Sequence, residues 1–328
     1  MFGVAIAATS SAKRLSRSGA ILIGGMTNAG QSNTAQKFYF SPEVAAAMSP
    51  NISVPMIYSG WGATNPGSAG YALAGYGYDG NSSYSVQNDT KVNYATNTFS
   101  SLGSLVGNLS KSNPAQGSNA GVAGYAYGGY DATAAASTTA GKKISFATET
   151  VSNPGGSLSL ARFGYFEMTN NGVCLYAAGG TNGTGPTSWY CTVNTVDKID
   201  FATETRSNLY MPDARTEDQS GMSFSNSGVK GYVTGGFKGD CVNGANGVSG
   251  SYILSFTTNT FSNVASPSLW GADYGNAVSL KSVAGYFLGG RSSASISKVS
   301  FSTDTLSGLG SMPNAVGWAP KLVDSQGN

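Results

Sequence analysis

The sequence contains no histidine, and that absence removes more chemistry than any other. Ser-His-Asp and Cys-His nucleophile pairs both use an imidazole base, and imidazole is also the commonest metal ligand. Charge is scarce too: Asp, Glu, Lys and Arg make up 10% of the chain, with a net charge of +2. A nucleic-acid binder presents a basic stripe. Here the densest basic group is Lys13, Arg14 and Arg17, so nucleic acid is not an expected partner. No apolar run approaches the roughly 18 residues of a membrane-spanning helix, and no membrane insertion is expected. The opening stretch MFGVAIAATSSAKRLSR carries its charges after its apolar part, the reverse of a secretory signal. Export by lysis or inside an assembled particle is the expected route to the outside. Three cysteines, Cys174, Cys191 and Cys241, leave at least one unpaired. Reduced structural thiols and a Cys191–Cys241 pair are the two readings.

What the chain does have is glycine and aromatic rings: 46 Gly, 18 Tyr, 14 Phe and 4 Trp, with 40% hydrophobic residues overall. Disordered chains combine high charge with few aromatics, so this composition points instead to short strands joined by Gly- and Asn-rich turns. The glycines recur in a phrase. GYVTGG (231–236), GYAYGG (124–129), GYFLGG (285–290) and YAAGG (176–180) are near-copies, with related forms ending at Gly25 and Gly75. Their last glycines are spaced 50, 54, 51, 56 and 54 residues apart. A second phrase follows each of them, as in KISFATET and KIDFATET, with anchors at Phe40, Tyr94, Phe146, Phe201, Phe256 and Phe301.

A double glycine with a period near 50 residues is in the range of propeller blades. We therefore expect six blades of four antiparallel strands. The inner strand is a stretch such as RFGYFEMT (162–169), the second ends in the glycines, the third carries the anchor and the fourth follows the Thr-rich turn. From each anchor to the next glycine the distance is 34 or 35 residues, whereas from glycine to its own anchor it varies from 11 to 21. All the variation therefore sits in the loop between second and third strands. In repeat proteins such insertions map to one face, often the binding face. The residues after Phe301, joined to those from Ser18 to Gly25, supply one more constant half. A C-terminal strand around Gly317–Asp324 should then close the ring beside Ala20–Ile23. Residues 18–328 form the propeller on this accounting, and residues 1–17 are an attachment arm. The competing candidate for closure is the strand-like FGVAIAA (2–8).

On these phrases the chain resembles kelch-like β-propellers over nearly its whole length. Cellular kelch repeats usually carry a Trp after the Thr-rich turn, where this chain has Val151, Arg206, Phe261 and Leu306. The wording is more similar to propellers in structural proteins of tailed bacteriophages, particularly those infecting cyanobacteria. That resemblance implies a non-enzymatic virion protein of the tail, fibre or capsid surface. Its expected partners are other virion proteins or further copies of itself, with a host-surface glycan or receptor as ligand. The alternative is a cellular carbohydrate- or protein-binding propeller. The shared motifs are scaffold residues, so they transfer a fold and no site.

Catalytic candidates are few. The arginines (Arg14, Arg17, Arg162, Arg206, Arg215, Arg291) are too scattered for a sialidase-like cluster, and Asp213, Glu217 and Asp218 read as a solvated turn. Asp79, Asn81 and Asp89, or Asp240 and Asn243, offer oxygen ligands without the D-x-D-x-D-G pattern of a calcium loop. No cofactor or metal is expected. The glycine phrases end strands with no following helix or Lys-Ser/Thr, so they are not phosphate loops. The candidate binding residues are aromatics of the variable loops and of one connection between blades: Tyr78, Tyr84, Tyr130, Trp189, Tyr190, Phe237 and Trp270. Flat rings among Asn, Ser, Thr and Gly suit a sugar or a protein partner. Packing of each ring against its own loop is the competing reading. Phe2, Lys13, Arg14 and Arg17 are the candidates for attachment by the arm.

Overall fold

The computed structural model describes residues 18–27, 30–32, 34–48, 61–73, 76–78, 83–85, 89–106, 111–131, 136–182, 191–239, 245–248, 250–264, 276–280, 282–289, 293–315 and 321–324. They form an all-β propeller of six blades, each with four antiparallel strands, and no helix occurs among them. From the inner strand outward, blade two is Trp61–Asn65, Ala69–Leu73, Asp89–Asn93 and Thr98–Gly103. Blade three is Ala115–Asn119, Ala123–Tyr127, Gly141–Ser145 and Val151–Ser152. Blade four is Phe166–Asn170, Cys174–Ala178, Thr195–Asp200 and Arg206–Tyr210. Blade five is Thr216–Asn226, Lys230–Gly239, Ser251–Ser255 and Thr260–Val264. Blade six is Ala277–Leu280, Ala284–Leu288, Ser295–Ser300 and Thr305–Ser311. In blade one, Gly19–Ile23, Ala35–Tyr39 and Val44–Met48 follow an inner strand supplied by the C-terminal Lys321–Asp324. The register is Gly19 with Asp324, Ile21 with Leu322 and Leu22 with Lys321. The C-terminal strand therefore closes the ring, as the spacing required. Gly317–Pro320 and Met1–Arg17 lie outside the described residues.

The second strands hold the core. GAILI, AGYAL, AGYAY, CLYAA and AGYFL are buried at every position. A blade is covered by a neighbour on each face, so its central strands read as continuous apolar runs rather than as alternation. Close approach sets residue size in these strands: a Cβ on Gly124 would strike the Cβ of Ala63 in the preceding blade. The inner strand of blade four begins later than expected, at Phe166. Residues 162–165 instead lead in beneath the glycine doublet, where Phe163 bridges Thr181.

Each junction between blades is clamped in the same way. The tyrosine of the second strand lies against the anchor of the next blade: Tyr71 on Phe146, Tyr125 on Phe201, Tyr176 on Phe256, Tyr232 on Phe301 and Tyr286 on Phe40, at 4.9–5.5 Å between centroids. Such pairs contribute about 0.5–1.5 kcal/mol beyond their buried area. In blade one Ile21 holds this place and packs with Tyr94. Just outside each ring, a lysine reaches the residue three past the next anchor. Lys37 donates to Asn97, Lys91 to Glu149, Lys143 to Glu204, Lys198 to Asn259, Lys230 to Asp304 and Lys298 to Glu43. The last of these runs from blade six back to blade one. All six acceptors have φ between 54° and 64°, so the turn after each anchor, Thr-rich in five blades and Ser-Pro in blade one, aims the side chain back at the preceding blade. Blade five has Ile253 where the other third strands carry lysine, and Lys230 of its second strand makes the bond instead.

The open edge of the inner strands is capped by side chains of the neighbouring blade. Ser223, Ser225 and Ser227 hydroxyls accept from the N–H groups of Glu167, Thr169 and Asn171 at 2.6–2.9 Å. Asn65, Asn170 and Asn226 carboxamide oxygens accept from Gly121, Gly228 and Ser282 N–H groups at the next inner turn. These bonds satisfy edge groups that would otherwise recruit another strand.

The clamps couple stability to pH. The hydrogen bond from Lys91, opposed by burial and aided by Tyr71, holds the Glu149 carboxyl below its usual range. Burial alone would raise Glu204, but Lys143 and the Gly155 N–H outweigh it, and the net direction is again downward. A carboxyl with a depressed folded pKa contributes stability above its unfolded value, and that contribution is lost as pH falls through the folded value. The melting temperature should therefore decline below about pH 4.3. A Glu149→Gln, Glu204→Gln variant should start lower at neutral pH and show a flatter decline in acid. Parallel curves for the two proteins would mean that these clamps carry no such coupling.

Candidate functional site

Up-and-down connection sorts the loops onto two faces. The inner turns and the third-to-outer turns lie on one face, which varies little from blade to blade. The second-to-third loops and the passages between blades lie on the other, the variable face. The glycine doublets stand at its base. Gly179 and Gly180 have φ of 64° and 97°, and a Cβ on Gly179 would collide with the carbonyl oxygen of Arg215. This close contact lets the Gly180 N–H reach the same carbonyl at 2.9 Å.

The variable loops are built as ribbons. Tyr76–Tyr78 pairs with Ser83–Ser85 in blade two. In blade three Tyr130–Asp131 pairs with both Lys111–Ser112 and Ala136–Ser137. The corresponding contacts in blade four are single bridges, Phe163 with Thr181 and Thr181 with Thr192. In blade five Phe237 pairs with Thr216 and with Gly247. In these three blades, then, the lead-in segment and both arms of the loop pair with one another: as a separate three-stranded sheet in blade three, as single bridges in blade four and as an extension of the blade's own sheet in blade five.

Tyr130 is half-buried, with its ring edge-on to the buried Phe163 at 5.6 Å. The contact lies between its loop and the lead-in segment of blade four. Phe237 is half-buried in the blade-five ribbon. The backbones of Tyr78 and Tyr84 sit in the blade-two hairpin, while their side chains lie outside the description. Trp189, Tyr190 and Trp270 are likewise outside the described residues, as are Phe2, Lys13, Arg14 and Arg17.

Two arginines dismissed as scattered occupy one structural position. The Gly129 N–H bonds the carbonyl of Arg162, and the Gly180 N–H bonds that of Arg215. The Arg162 guanidinium is fully buried, 2.7 Å from an equally buried Asp197, and faces the ring of Tyr165. Asp197 also accepts from the Ser159 N–H. Arg215 forks onto Asp213 at 2.6 and 2.7 Å, donates to the Gly235 and Gly250 carbonyls and lies over Tyr252. Both side chains stitch lead-in, second strand and third strand together under the variable face. Their signal in the sequence was the repeat position, blurred because Arg162 follows its anchor by 16 residues and Arg215 by 14.

The same geometry settles several polar groups. Asp213 is committed to Arg215, and the Asp89 carboxylate accepts from the Leu105 and Val106 N–H groups. Asp79, Asn81, Asp240 and Asn243 lie outside the described residues. Among the described residues no three His, Cys, Asp or Glu side chains gather as a metal site, and no helix is long and apolar enough to cross a membrane. Cys174 is a buried free thiol, whereas Cys191 is disulfide-bonded.

The opposite face has its own repeated feature. Val122, Val173, Val229 and Val283 occupy the same place in the inner turns of blades three to six and are 46–52% exposed. The carbonyl of each accepts the N–H of its blade's anchor, which fixes the turn while the side chain faces outward. Ser18 makes the equivalent bond to Phe40, so residue 18 sits at this turn position in blade one. Because Gly19 pairs with Asp324, both ends of the described chain open on this face.

Compared with known proteins, the chain matches no family model and no curated protein.

Proposed function

We propose that the protein is a non-enzymatic display module of a virion, a kelch-like propeller of the kind carried on tailed-phage surfaces. One observation carries this reading: the two faces are divided in construction. The constant face is clamped at every junction, bears four exposed valines and receives both ends of the described chain. The variable face carries the ribbons. A segment leaving residue 18 attaches the constant face to a neighbouring virion protein or to another copy, and the variable ribbons then point away from the particle. The repeated wording of the blades supports the phage-type assignment. The lack of histidine, with Asp213 and Asp89 bound up in the scaffold, favours binding over catalysis.

The test has two arms. Mass spectrometry of purified particles should find the protein in stoichiometric amount; its absence would leave the cellular carbohydrate- or protein-binding reading. Particles carrying Trp189→Ala with Trp270→Ala should contain a folded propeller yet lose adsorption to the host by tenfold or more. Normal assembly and normal adsorption would show that these rings have no such role.

A further inference from the structure

We infer that Cys191 and Cys241 form a disulfide that fastens the variable loops of blades four and five to each other. Cys191 is disulfide-bonded, Cys174 is a free thiol, and the chain has three cysteines. Within one chain, Cys241 is the partner that remains. Cys241 itself lies outside the described residues, and the backbone on either side supplies an independent argument. The Thr192 hydroxyl donates to the Gly239 carbonyl at 2.9 Å and stands 3.2 Å from the Gly239 N–H. The residue after Cys191 is thus held against the residue two before Cys241, across the gap between blades. Both flanks belong to ribbons: Thr192 bridges Thr181, and Gly239 pairs with Ala245. Cys174 is the wrong partner because it lies fully buried in the second strand of blade four, where burial pushes its thiol up and keeps it inert.

The bond forms by exchange with a small-molecule disulfide or a disulfide oxidoreductase. One cysteine thiolate attacks the oxidant and releases its first thiol. The second thiolate then attacks that mixed disulfide and releases the other. Two protons and two electrons pass to the oxidant, and one S–S bond forms for the one broken. Such a bond persists where the surrounding thiol pool is not reducing. The mature protein is therefore built for a non-reducing medium.

The experiment counts thiols. Protein treated with glutathione disulfide, then denatured without reductant and reacted with a maleimide, should take up one label by intact mass. After reduction it should take up three. Peptide mapping should show a single link between residues 191 and 241. A Cys191→Ser, Cys241→Ser variant should fold and melt about 5 °C lower, since the bond closes a loop on the order of 50 residues. Three labels on the oxidised, denatured protein, a link through Cys174, or a dimer that reductant dissolves would each overturn the inference.

Discussion

Removal of residues 314–328 is expected to open the ring and abolish cooperative unfolding, rather than trim a tail. The strand Lys321–Asp324 is the inner strand of blade one, and without it Gly19–Ile23 loses one of its two neighbours. Ala20, Ile21, Leu22 and Ile23 are all at most 2% exposed, so the loss uncovers core. A second latch goes with it: the Asn314 N–H donates to the Gln36 side-chain oxygen at 2.9 Å, and the Gln36 amide reaches back to the Asn314 carbonyl. Gln36 is itself 1% exposed and Asn314 lies at the surface, so this exchange joins blade one to the segment that follows blade six at the edge of the core. An opened propeller also presents a long unpaired edge, which invites association. The truncated chain should elute as aggregate and show no sharp melting transition. Deleting residues 2–15 should by contrast leave a disc that melts within a few degrees of the parent. If that second deletion unfolds the protein instead, the N-terminal segment contributes to the sheet.

How much of this was legible in the sequence depended on whether a contact repeats in place or across blades. The glycine doublets and anchors were readable because each is fixed by its own blade, so their letters recur at a constant interval. The clamp partners were printed just as regularly, with lysine three before the anchor and Glu, Asn or Asp three after it. Their pairing was hidden because each bond spans about one whole repeat, as from Lys143 to Glu204. Blade five shows why letter patterns alone mislead here. Its third strand lacks the lysine, yet Lys230 restores the bond from a different strand, which only the fold reveals. The arginines were hidden by a two-residue change in spacing. The variable face was the least legible part, since ribbons of unequal length share pairing without sharing sequence. Tyr130 illustrates this: its residue type suggested a ligand, while its edge-on contact with Phe163 across the blade junction left no signal in the sequence.

Replacing Phe201 with Ala should destabilise the protein by about 3–5 kcal/mol, the usual figure for emptying a buried aromatic site. The ring is 4% exposed, stacks on Tyr125 of the preceding blade at 4.9 Å and shares a core cluster with Tyr127, Leu158, Leu175 and Ile199. These residues belong to two clamped blades, so the site has little freedom to collapse around the cavity. The backbone adds to the rigidity, because the Phe201 N–H is tied to the Val173 carbonyl at 2.9 Å. An exposed aromatic supplies the control: Tyr210 on the outer strand of the same blade is 66% exposed, and Tyr210→Ala should stay within about 0.5 kcal/mol of the parent. Denaturant titration of the two variants separates burial from mere loss of a ring. A cycle with Tyr125→Leu then isolates the stack, with an expected coupling of about 0.5–1.5 kcal/mol. A loss below about 1 kcal/mol for Phe201→Ala would contradict its burial between blades, whereas a full loss with no coupling would leave Phe201 as core and deny the stack its part in holding neighbouring blades together.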